Sequence, residues 1–202
     1  MQGVTVATAP TSRPRVSGER EQELLEAAID VLRDVGYDRL TFDAVAAEVR
    51  ASKATLYRKW PTKAALVVEA VVETVCPSLL DRPDSGSLRG DLVVGACQDR
   101  GLTAGLPALL GAVMPALHRD AELYSEFQAR FLGPMIEQSV GTFRRAQERG
   151  EVGPDADLER LASILPAMAV HQAVVFGRSC GVDDVTAIVD EVVLPACEAT
   201  RR

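Results

Sequence analysis

An all-α fold of about nine helices is what this sequence predicts, on three observations. Apolar residues recur at three- and four-residue spacing along most of the chain, the signature of helices with one buried face. Hydrophobic residues make up 47% of the 202 residues while aromatics make up only 4%. Ala, Val and Leu carry that bulk, and Ala and Leu are strong helix formers. No run alternates apolar and polar residues as a half-buried strand would.

The elements follow in order. "EQELLEAAIDVLRDVG" places Leu24, Leu25, Ala28, Val31, Leu32 and Val35 on one face. Glu19, Glu21 and Glu23 crowd its first turn, where the helix dipole favours negative charge, and Gly36 stands where a C-terminal cap is expected. "TFDAVAAEVR" is a short helix capped by Thr41, with Phe42, Val45, Ala46 and Val49 inward. A turn near Arg50 and Ala51 leads to Ser52, which caps "KATLYRK", with Leu56 inward. Pro61 drives Trp60 out of helical geometry. Thr62 then caps "KAALVVEAVVETVC", which Pro77 stops. "PSLLDRPDSGS" is rich in turn formers and marks a boundary. The expected parts are a disordered polar, basic arm (1–18), a compact first unit (19–76) and a second helical unit (77–202).

Beyond the boundary the helical patterns are "LRGDLVVGACQDRG", "LPALLGAVMPALH", "AELYSEFQARFLGPMIEQSVGTFRRAQERG", "LERLASILPAMAVHQAVVFG" and "DDVTAIVDEVVLPACEA". Leu123, Phe127, Phe131 and Met135 step at i+4 as a buried seam. Pro115, Pro134 and Pro166 fall inside these patterns and are expected to kink them.

Several function classes are disfavoured. No stretch of about 18 apolar residues occurs, so no membrane span is expected. "MQGVTVATAPTSRPRVSGER" lacks the apolar segment and cleavage site of an export signal, which points to the cytoplasm. Cys76, Cys97, Cys180 and Cys197 form no C-x-x-C pair and read as reduced structural thiols. His118 and His171 have no metal-site spacing, and neither a P-loop nor a dinucleotide fingerprint is present. No cofactor is expected. "GRSCG" (177–181) matches G-x-S-x-G, but a nucleophile elbow needs a strand before it and a histidine after it. A helical pattern precedes it here and both histidines come earlier, so catalysis is not expected.

The chain carries a formal net charge of −7, yet "RASKATLYRKW" (50–60) is basic and free of acids. Arg50, Lys53, Arg58, Lys59 and Lys63 fall on two short helices and the start of a third. Two short helices joined by a tight turn are the parts of a helix-turn-helix, whose second helix lies in the DNA major groove. Lys53 and Thr55 then point outward while Leu56 faces the core. The helix starts at Thr41, Ser52 and Thr62 offer backbone N–H groups to phosphates. Tyr57 adds a hydroxyl and Lys63 a point charge, and Arg13, Arg15 and Arg20 of the arm suit an adjacent minor groove. The plainer alternative is a solvated basic face, with Tyr57 and Trp60 packed in a core.

"LTFDAVAAEVRASKATLYRKWPTKAALVVEAV" resembles the DNA-binding domain of the TetR/AcrR family of transcriptional regulators. The resemblance runs from Glu19 to Val75 and is most specific at Ser52, Ala54, Tyr57, Trp60 and Lys63. Ala54 stands where the family often has Gly, and Trp60 where Phe is commoner. The resemblance implies a repressor released from a palindromic double-stranded DNA operator by a small-molecule effector, with Thr41, Arg50, Ser52, Lys53, Thr55, Tyr57, Lys59, Trp60 and Lys63 at the DNA. It implies a homodimer, for which the last two helices (157–176 and 184–199) are the best surfaces, and a C-terminal pocket, for which Met114, His118, Phe127, Phe131 and His171 are candidates. The fourth helix, joining the two units, becomes the lever between them. The alternative is a helical small-molecule-binding protein or enzyme that has reused the fold without specific DNA binding.

Overall fold

The computed structural model describes residues 18–75, 83–98 and 106–202. Among them the chain forms nine helices and no strand. α1 spans Gly18–Arg39, α2 Phe42–Glu48 and α3 Lys53–Lys59. α4 runs from Lys63–Ala70 into a π turn at Val71–Val75. α5 is Leu88–Gln98 and α6 Leu106–Leu117. α7 passes from Ala121–Phe127 through a π turn, Gln128–Leu132, into Gly133–Glu148. α8 is Leu158–Phe176, and α9 joins Val182–Ile188, a π turn at Val189–Val193 and Leu194–Ala199.

Local chemistry explains most of these limits. The Thr41, Ser52 and Thr62 hydroxyls each accept from the backbone N–H three residues on, at 3.2 Å, satisfying a donor that the helix leaves open. Gly36 adopts φ 75°, but it bends α1 rather than ending it, and one further turn follows. Pro134 and Pro195 each come just after a π turn. A proline ring clashes with the carbonyl four residues back; the extra residue of a π turn absorbs this without breaking the helix. Hence no break occurs at Pro134. At Gly133 a Cβ would lie 2.9 Å from the Gln128 carbonyl oxygen, so glycine suits that turn.

Two cores hold the molecule together. The first gathers Leu24, Leu32, Val45, Leu56, Trp60 and Leu66 of α1–α4 with Val113, Leu117, Leu123, Phe127 and Phe131 of α6 and α7. It therefore draws on residues from both sides of the boundary expected at 76/77. The second joins Leu88, Phe143, Leu161, Ile188 and Val193 of α5 and α7–α9 with Val152 of the turn between α7 and α8. Between its helices the Asp91 carboxylate is buried, accepting from Ser85 N and Oγ and from Arg149 Nη2 at 3.2 Å. A buried charge is tolerated only when paired in this way.

Cys180 and Cys197 are buried free thiols, and burial pushes the Cys197 thiol up to about 11. Arg13 and Arg15 of the arm, Cys76 and residues 77–82 of the expected boundary lie outside the described residues. Among the described residues no helix is long and apolar enough to cross a membrane.

Candidate nucleic-acid interface

The interface is built on the α2–turn–α3 unit. After α2, Arg50 N donates to Ala47 O at 3.3 Å and Ala51 N to Ala46 O at 2.8 Å. These are the two bonds of a Schellman motif, whose first residue past the cap takes a left-handed conformation. That residue is Arg50, at φ 51°, where glycine is usual. Arg20 Nη2 donates to the Val49 carbonyl at 2.6 Å, closing the same helix end. Arg20 thus belongs to α1, not to an arm free to reach a minor groove.

Leu56 and Trp60 anchor α3 in the first core, and so turn its remaining residues outward. Trp60 is 1% exposed, which corrects its assignment as a DNA contact: it holds α3 from beneath. Tyr57, three residues earlier and 49% exposed, lies against the Phe42 ring at 4.3 Å between centroids. Thr41, Asp43, Lys53, Tyr57, Thr62 and Lys63 line one open groove of about 410 Å³. Arg50, Ser52 and Lys53 are exposed and Thr55 is half-buried, with the Ser52 and Thr55 hydroxyls 2.8 Å apart.

The basic residues have different surroundings. Lys53 Nζ sits 2.7 Å from Asp43 Oδ2. Lys63 Nζ donates to the Tyr37 carbonyl at 3.0 Å and lies 4.1 Å from the centroid of that ring. Lys59 pairs with Glu21 of α1, and with Glu69 of α4 at 3.8 Å; Glu69 in turn meets Arg130 of α7 at 3.1 Å. Lys59 therefore faces the acids of the scaffold and is not among the residues lining the groove. The side chains of Arg50 and Arg58 have no ion pair or hydrogen bond among the described residues. Sequence reasoning missed Asp43, Glu21, Glu69 and Tyr37 as partners, because they lie far along the chain or one helix away.

Of the five residues expected in a ligand pocket, Phe127, Phe131 and Met114 share the first core, and the two histidines do not. Phe127 and Phe131 are buried, with ring centroids 4.8 Å apart. Met114 is half-buried between the first core and Val170 and Ala173 of α8. His118 and His171 are exposed, outside the buried cluster that holds Phe127 and Phe131. His118 lies just past the end of α6. His171 is two positions from each of the buried residues Ala169 and Ala173, so the helical period turns it to the opposite face. There it meets Phe176 edge-on at 5.4 Å. On α8 and α9, Val174, Val175, Phe176 and Val182 are exposed apolar side chains.

Comparison with known proteins agrees with this geometry. Residues 24–70 match the family model described as bacterial regulatory proteins, tetR family. Residues 82–192 match that described as tetracyclin repressor-like, C-terminal domain. An uncharacterized HTH-type transcriptional regulator of Mycobacterium tuberculosis is 36% identical over 194 residues, covering 95% of this chain and 94% of that one. A DNA-binding transcriptional repressor TetR of Mycobacteroides abscessus is 33% identical, covering 87% and 92%. The crystal structure of a TetR family transcription regulator, SCO0332, superposes with a TM-score of 0.65 at 28% identity, covering 85% of this chain and 94% of that one.

Proposed function

Because the chain belongs to the TetR family of bacterial regulatory proteins, and is therefore a helix-turn-helix transcriptional regulator, we propose that it is a repressor, released from a palindromic operator by a small-molecule ligand. The observation that carries this reading is the groove in which Thr41, Lys53, Tyr57 and Lys63 converge on the outer side of α3. A lysine near the start of a recognition helix reads base acceptors, and hydroxyls and a second lysine at its flanks hold phosphates. Arg50, Ser52 and Thr55 extend the same surface. The repressor name carried by the Mycobacteroides abscessus relative supports repression.

In this reading residues 19–76 are the DNA-reading unit and residues 77–202 bind the effector and dimerise, and the protein acts in the cytoplasm by binding rather than catalysis. The exposed Val174, Val175 and Phe176 on α8, with Val182 on α9, favour a two-fold interface of two helices from each subunit. Two recognition helices must reach half-sites about 34–36 Å apart. A ligand entering near Met114, Phe127 and Phe131 and shifting α4 by a few ångströms would then suffice to break register.

The test is fluorescence anisotropy with labelled duplexes from upstream of the protein's own gene and scrambled duplexes of equal length, over a salt series. Saturable, sequence-dependent binding by a dimer is expected. Affinity should fall steeply with salt, because phosphate neutralisation releases counterions. Absence of binding at low salt, to these duplexes and to fragments selected from genomic DNA, would overturn the reading.

A further inference from the structure

Asp43 is an acidic side chain on the surface that would face a polyanion. It lies in the first turn of α2 and lines the same groove as Lys53 and Tyr57. Its Oδ2 is 2.7 Å from Lys53 Nζ on α3, with the two side chains 66% and 49% exposed. An ion pair this exposed adds little to folding stability, and a carboxylate opposite phosphates weakens DNA binding. The helix dipole favours an acid in this first turn, but it requires neither a lysine partner nor a place in the groove.

Lysine is a point charge on a flexible stem, and on unrelated DNA such a charge finds the nearest phosphate. Lys63 is held from the scaffold side by the Tyr37 carbonyl, and Lys59 by Glu21 and Glu69. Of these three lysines, Lys53 alone is held by a carboxylate within the groove. That tether keeps the ammonium at the start of the recognition helix, where base edges present acceptors, and away from the phosphate rails.

We propose that Asp43 is a specificity-determining residue of the DNA-reading surface. It holds Lys53 in place to read a base acceptor, and its charge discourages binding to DNA that offers Lys53 only phosphates. This rests on the reading of the groove as the operator-binding face. On a cognate duplex Lys53 bridges Asp43 and the base acceptor, so the carboxylate costs little. On other DNA the lysine must leave Asp43 or the carboxylate must approach a phosphate, and either is unfavourable.

The test compares wild type, Asp43→Asn, Lys53→Met and the double variant, on the tightest-binding genomic duplex and on its scrambled counterpart, across salt. Asp38→Asn is the control. Asp38 is an exposed acid of the same unit, paired with Arg119 and not part of the groove. Asp43→Asn should tighten scrambled DNA about three- to tenfold, with a salt slope steeper by up to about one. Cognate affinity should move less than about twofold, so the specificity ratio falls, and the effect on the ratio should vanish in the Lys53→Met background. Asp38→Asn should leave the ratio alone. Equal tightening of both duplexes by Asp43→Asn, no change in either, or an undiminished effect without Lys53 would each overturn the proposal. A wild type that fails to discriminate the duplexes would instead overturn the operator-binding reading itself.

Discussion

The Tyr37 hydroxyl donates to Asp120 Oδ2 at 2.9 Å across 83 residues of sequence, joining the end of α1 to the start of α7. Asp120 Oδ1 caps α7 by accepting from Leu123 N at 3.0 Å, and the Tyr37 carbonyl receives Lys63 Nζ. The corner of the C-terminal bundle is thus two hydrogen bonds away from a lysine of the α2–α3 groove.

Removing that hydroxyl with Tyr37→Phe should cost about 1.5–3 kcal/mol, the range for a hydrogen bond to a charged acceptor, read as a lower urea midpoint at constant slope. Asp120 should confer a pH dependence as well. The Leu123 N–H first, and then the Tyr37 hydroxyl, hold its carboxyl below the usual carboxylate value. Its stabilisation is therefore present above the ordinary carboxylate range and is lost as pH falls through the lowered value. Burial first, and then the bond to Asp120, raises the Tyr37 phenol, so its contribution is present below about pH 10 and declines as pH rises beyond. Asp120→Asn should flatten the acid limb and Tyr37→Phe the alkaline one.

Arg50→Gly should stabilise the fold. A left-handed non-glycine residue costs roughly 1–2 kcal/mol, and glycine returns part of that as unfolded-chain entropy, leaving a gain of about 0.5–1 kcal/mol. If the Arg50 side chain also meets phosphate, the same variant should bind all DNA more weakly while melting at a higher temperature. Thermal unfolding and anisotropy on one preparation check both.

Trp60 should behave as a core residue. Trp60→Ala should cost about 3–5 kcal/mol. Trp60→Phe should cost much less, because the Trp60 Nε1 is buried without a hydrogen-bond partner among the described residues, and phenylalanine removes that unsatisfied donor. Trp60→Phe should also leave the DNA salt slope unchanged; a shallower slope would mean that the indole reaches DNA.

Tyr57→Phe and Lys63→Ala should weaken cognate and scrambled duplexes nearly alike, as phosphate contacts do. Lys59→Ala should leave the salt slope as it is and lower stability by at most about 1 kcal/mol, the ceiling for partly exposed pairs. A change of base preference in any of the three would reassign that residue.

Val175→Asp tests the dimer face. Val175 is 60% exposed in the single chain, so the substitution should not unfold the subunit, yet it should convert dimer to monomer by light scattering. Operator affinity should then fall more than about tenfold, because the two half-sites no longer bind as one event. A dimer that persists would place the interface elsewhere.

The helices and their starts were legible in the sequence, because periodicity and side-chain caps are set by residues within four positions of each other. Thr41, Ser52 and Thr62 cap as their spacing implies, and Pro61 separates α3 from α4. The outward set on α3 was legible in part, since Leu56 and Trp60 share the buried face and leave Lys53 and Tyr57 outside. Two features were not: the π turns that carry α7 past Pro134 and α9 past Pro195, and the exposure of both histidines. Each depends on what a neighbouring helix places against the residue.

The sequence by itself determined the all-α class, the helix-turn-helix and the patch of charge around Arg50 to Lys63, because local spacing dictates helix phase and caps. Only the tertiary structure decided what each of those charges meets. Glu21 and Glu69 take Lys59, Asp43 holds Lys53 within the groove, and Tyr37 ties Lys63 toward Asp120. A charge's partner is whatever folding brings within about 4 Å, and separations of 10 to 83 residues leave no local pattern from which to read it.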